Sequence, residues 1–143
     1  MIERAPEVEQ AMRDSFDAMR RRDLELLLSR TSAGPGVVLI GSAQEEWYTS
    51  LEEIQRMGAE MESGGEGPVP TLDDVKGYSE GDVGWAAVRG TWSTGGGSVP
   101  FRLTVVLHRE DGVWKHVQSH ASIGVPNEEM MNPMFQAAGA AAS

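Results

Sequence analysis

Asp111-Gly112 lies between two stretches of alternating residues, 99–109 and 113–123, and no other feature narrows the fold as much. Asp-Gly tolerates the positive φ angles of a type I′ turn, whose twist matches that of paired strands. The pair therefore predicts an antiparallel hairpin. Glu80-Gly81-Asp82 and the glycine-rich residues 94–98 are turns of the same kind, and they separate strands at 72–78 and 83–93. The C-terminal half thus reads as four strands joined in order.

The N-terminal half carries the other periodicity. Val8, Ala11, Met12, Ser15, Phe16 and Met19 recur at helical spacing, with Pro6 suited to the first helical position and Glu7 and Glu9 to the positive end of the helix dipole. A helix is expected over 6–21, with Arg20-Arg21-Arg22 as cations at its C-terminus. Asp23 caps a short helix over 24–29. Gly34-Pro35-Gly36 breaks the chain, and the β-branched run 37–40 reads as a buried strand. Trp47 and Tyr48 follow in a loop or short strand extension. Ser50 and Glu53 form a capping box that opens a third helix to about Met61, ended by the flexible residues 63–68. Helices first and strands after make an α+β protein.

Length and charge set the class. The 143 residues suit one domain, expected over 1–128, with a partly ordered tail over 129–143. Met130, Met131, Met134 and Phe135 in that tail are at helical spacing and are expected to pack on the open end of the fold or on a partner. Twelve basic residues against 22 acidic ones leave a net charge of -10. A surface for nucleic acid or anionic lipid needs a basic excess, so neither is expected as a partner. Without cysteine there is no disulfide and no thiolate metal site. Residues 37–40 are the longest aliphatic run, far below the ~20 residues that span a bilayer. The N-terminus has no apolar signal region, which makes the cytoplasm the expected location.

Strand faces point to a partner. A two-residue turn at Asp111-Gly112 sets Glu110 opposite Val113, and counting outward sets Leu107 against His116, Val105 against Gln118 and Leu103 against His120. The alternative, a three-residue loop over 110–112 with a bulge, sets Arg102 against His120 and Thr104 against Gln118 and makes the pocket anion-binding. With the two-residue turn, one face holds Phe101, Leu103, Val105 and Leu107 beside Trp114, His116, Gln118 and His120. The other face holds Thr104, Val106, Val117, Ala121 and Ile123, with Val88 and Trp92 added from the preceding strand. A sheet apolar on both faces, with helices for one, predicts a second copy on the other.

Several segments resemble a known family. Residues 41–47 (Gly-Ser-Ala-Gln-Glu-Glu-Trp), residues 81–85 (Gly-Asp-Val-Gly-Trp), residues 111–115 (Asp-Gly-Val-Trp-Lys) and His120-Ala121-Ser122 resemble the SnoaL-like branch of the nuclear transport factor 2-like superfamily, over roughly residues 7–128. The C-terminal stretch is also similar to the association domain of calcium/calmodulin-dependent protein kinase II. There Arg89 falls where a pocket arginine lies, while Val105 replaces a second one. The resemblance implies a cone-shaped curved antiparallel sheet wrapped by three helices, a cystatin-like roll, with an internal pocket and usually a dimer. Cyclases and isomerases of the superfamily use an acidic base, and no inward aspartate matches one here. Asp14 and Asp17 lie off the apolar stripe.

Site candidates follow from both readings. His120 is the candidate acid or base, since an imidazole titrates near ~6.5. Arg89, beside Trp85 on its strand face, suits a carboxylate or oxyanion. Trp47 and Tyr48 form a rim, and Leu103, Val105 and Gln118 complete the expected ligand wall. His116 and His120 are ~13 Å apart on a strand, too far for one metal, so no metal and no cofactor are expected. The resulting expectation is a homodimer holding a small, mostly apolar organic molecule, which can carry a carboxylate. The alternatives are a cyclase, isomerase or dehydratase using His120 and Arg89, and an association module whose function is the dimer.

Overall fold

In the computed structural model, which describes residues 1–131, one curved sheet organises every other element. β1 (Glu3–Arg4) precedes α1 (Pro6–Arg20) and α2 (Leu24–Ser29). β2 (Val38–Ile40), β3 (Trp47–Tyr48) and α3 (Leu51–Ser63) come next. Four long strands complete the sheet: β4 (Val69–Glu80), β5 (Val83–Thr94), β6 (Gly97–Glu110) and β7 (Val113–Ile123). The strand order is β1-β4-β5-β6-β7-β2-β3. The sheet is not antiparallel throughout: β2 runs parallel to β7, pairing Val38, Leu39 and Ile40 with Gln118, Ser119 and His120.

The helix starts match their sequence signals. Asp23 accepts from the Leu26 amide at 3.1 Å, and Ser50 accepts from Glu53 at 3.2 Å while Glu53 takes the Thr49 amide at 2.9 Å. Each such cap is worth about 1 kcal/mol. α1 buries its stripe on β4 and β5, with Phe16 stacked on Phe101 at 5.7 Å and Trp92 tilted against Phe101 at 5.2 Å. Met12, Leu107 and Phe101 are the large side chains taken furthest from water. Burying each contributes roughly 1.5–3 kcal/mol. Glu9 ties the helix to the sheet: its carboxylate accepts from the Gly77 amide and from Arg4, both at 3.2 Å. Those bonds hold its carboxyl below the usual range.

The hairpin turn is the expected one, with Asp111 at φ 52°, Gly112 at φ 78°, Glu110 opposite Val113 and Leu107 opposite His116. Beyond His116 the count changes. Val106, not Val105, opposes Gln118, so Val117 is one extra residue on β7 and forms a bulge. Every later residue of β7 changes face. Thr104 opposes His120, Leu103 opposes Ala121, and Arg102 opposes Ser122. Gln118 and His120 therefore lie outside, and Ser119, Ala121 and Ile123 on the helix side. The outcome avoids burying an amide and an imidazole without partners, which is costly.

This corrects the expected partner face. Val88 is in the core and Trp92 packs on it, because β5 alternates from the buried Gly84 and Ala86. Ala121 and Ile123 also turn inward. Thr104 and Val106 remain outside. Residues 127–131 form a helical turn in which Met130 and Met131 are exposed in a single copy. Met134 and Phe135 lie outside the described residues.

Candidate functional site

The bulge divides the expected ligand wall between two surfaces. Leu103 and Val105 face the helices, as does Tyr48, which pairs with Leu39 on the row of Ser119 and Val105. Trp85, Arg89, Gln118 and His120 are on the opposite face. Trp47 pairs with Ile40 on that same outer row and is 62% exposed. Among the described residues no single pocket brings the expected ones together. One extra residue turns Gln118 and His120 outward, and β5 buries Gly84, Ala86 and Val88, which leaves Trp85 and Arg89 outside.

On the inner side, α1 closes the β4–β5 end, while Leu39, Tyr48, Leu103, Ser119 and Ala121 stay half-buried. Between α1 and β7 lies a polar pair that sequence reasoning missed. His116 Nε2 and the buried Ser15 hydroxyl are 3.1 Å apart. His116 is also fixed through its backbone, donating to Arg30 and accepting from Ser32. Loss of hydration, reinforced by Arg30, lowers its pKa to about 4, so the ring is neutral near pH 7 and one of its nitrogens can meet the hydroxyl. Ser15 was visible as the lone polar member of the α1 stripe. Trp114 Nε1, also buried, has no hydrogen-bond partner among the described residues. Its ring lies under the Arg109 guanidinium at 5.1 Å.

Tyr48 and Trp47 lie beside α3. With Glu53, Arg56, Met57 and Glu60 of α3 they border a hollow of about 320 Å³. Burial raises the Tyr48 phenol pKa, and Glu46 and Glu60 add to it. The phenol therefore stays protonated and can donate.

The outer face carries a shallow groove of about 370 Å³. Tyr78 and Trp85, stacked at 6.3 Å, form its floor with Ala87 and Val106. Lys76, Thr104, Gln118 and His120 border it. Next to it, Asp74, Arg89, Arg102 and Ser122 form one row across β4 to β7. Asp74 meets Lys76 at 3.5 Å and Arg89 at 3.7 Å. Lys76 and Tyr78 were not singled out from the sequence, because the face they share depends on the pairing of β4 with β5.

Known structures share this architecture. A nuclear transport factor 2-like protein of unknown function from Pseudomonas putida KT2440 superposes with a TM-score of 0.76 at 18% identity, covering 89% of this chain and 94% of its own. A protein from Streptomyces avermitilis assigned as a dehydratase of the nuclear transport factor 2-like family gives 0.74 at 24% identity, covering 85% and 96%. One from Thiobacillus denitrificans assigned as a calcium/calmodulin-dependent protein kinase type II association domain gives 0.69 at 17%, covering 80% and 93%. At these identities the likeness is one of fold. No curated protein sequence matches the chain. The SnoaL-like domain model matches residues 8–126, from the first core residue of α1 through the end of β7, and the chain therefore belongs to the SnoaL-like domain family.

Proposed function

We propose that this chain is a homodimeric domain that binds a small, mostly apolar organic molecule on its inner side. The observation that carries the reading is the unequal cover of that side. α1 packs on the β4–β5 end, while Leu39, Tyr48, Leu103, Ser119 and Ala121 on the inner side stay half-buried. Apolar walls with a few polar groups are the usual make-up of such sites. The Tyr48 phenol and Ser119 supply polar contacts here, in place of Arg89, Gln118 and His120. Binding fits better than catalysis, because the inward histidine, with a pKa of about 4, is a weak base near pH 7. The second copy covers the outer face, where Trp85, Val106, Tyr78 and Ile40 form an apolar band that one copy leaves open. Structural relatives assigned as association domains support that part of the reading.

Native mass spectrometry of the protein purified from its own cells tests both parts. Two chains plus a small co-purified mass are expected. Ala121→Trp, which fills the inner surface beside Leu103, should remove the extra mass and leave the dimer. A monomer overturns the dimer, and an extra mass that survives in A121W overturns the inner site.

A further inference from the structure

In a chain of net charge -10, the outer sheet face concentrates cations. Arg89 and Arg102 are direct cross-strand partners, an arrangement that is destabilising unless something lies between the charges. Lys76 and Arg89 share the single carboxylate of Asp74. Arg102 has no acidic partner among the described residues, and His120 is its diagonal neighbour across β6 and β7. Lys76 and His120 border the groove itself, and Tyr78, Trp85, Ala87 and Val106 give it a flat apolar floor. A second copy seated on that apolar floor necessarily brings the cations of both copies into the interface. Each copy contributes three permanent cations, Lys76, Arg89 and Arg102, against two carboxylates, Asp74 and the Asp73 that accepts from the Thr91 hydroxyl. Such charges are depleted from interface cores, because removing them from water unpaired is costly.

We propose that the dimer is linked to a small organic acid: its flat apolar body lies on the Tyr78–Trp85 floor, and its carboxylate neutralises Arg102 and Arg89. The inference rests on the homodimer reading. Guanidinium forks match carboxylates in two parallel hydrogen bonds, and a flat body matches the groove shape. A ligand that binds the dimer in preference to the monomer strengthens association by mass action.

Benzoate is the probe. Sedimentation velocity across a protein dilution series, at fixed ionic strength, measures the dimer dissociation constant with and without benzoate. Saturating benzoate should lower it at least tenfold, and neutral benzamide should leave it unchanged. Arg102→Gln should dimerise more tightly than the parent without benzoate and lose the response. A parent dimer indifferent to benzoate overturns the link and leaves the homodimer standing. No dimer in either condition overturns the homodimer as well. An equal response to inorganic phosphate overturns the organic acid, because the site would then take any anion. Circular dichroism of R102Q confirms that the variant is folded.

Discussion

At the scale of single residues, His116 has the most measurable consequence. Its ring is neutral in the fold with a pKa of about 4, while an unfolded histidine takes its proton near ~6.5. The folded pKa is the lower one. Between these values the unfolded state binds the proton and the folded state does not, so stability falls with falling pH across that window and is complete above it. The whole shift corresponds to ~3 kcal/mol, of which about 2 kcal/mol is lost by pH 5. Urea unfolding at pH 7.5 and pH 5.0 measures it. His116→Gln should flatten the difference between the two, and Ser15→Ala should lower stability at both by about 1 kcal/mol, the net value of one hydrogen bond. A pH response unchanged in H116Q would assign the effect to other groups.

Among the elements, β7 decides which residues share a surface. Most of the fold could be read directly. The α1 stripe packs as its spacing says, Asp23 and Ser50 cap as their side chains allow, and Asp111-Gly112 sets the pairs 110–113 and 107–116. The site could not, because it lies beyond Val117. Residues 118–123 alternate between small, polar and apolar side chains, so either face assignment leaves a plausible pattern. Pairing partners decide instead: the 30–32 segment holds His116, and β2 takes over from Gln118. Arg102 illustrates the same limit, since its neighbours Arg89 and Ser122 are on other strands. Deleting Val117 should force a choice between losing the β2 pairing and turning Gln118 and His120 inward. Either outcome costs several kcal/mol, since each buried polar group without a partner costs ~1–3 kcal/mol. A thermal melt of that variant matching the parent would show that the bulge is dispensable.

For the whole molecule, the test is a charge placed on the outer face. Val106 is 37% exposed in a single copy, so a glutamate there does not disturb the core. Val106→Glu should leave the circular dichroism spectrum unchanged, convert the proposed dimer to a monomer by light scattering, and make the melting temperature independent of protein concentration. A dimer of parental strength in V106E would place the interface elsewhere. The topology has one further result, which concerns synthesis. Ser15 comes 101 residues before the His116 it binds. At roughly 5–20 residues per second, Ser15 waits about 5–20 s on the ribosome before His116 is made, while the rest of the α1 stripe must wait for β4 and β5, on which it packs. The four hairpin-linked strands can zip up locally as they emerge, whereas the N-terminal third must be stored and then docked. Nascent chains of this protein are therefore expected to engage a holding chaperone through α1, and to release it once β4 and β5 have left the exit tunnel.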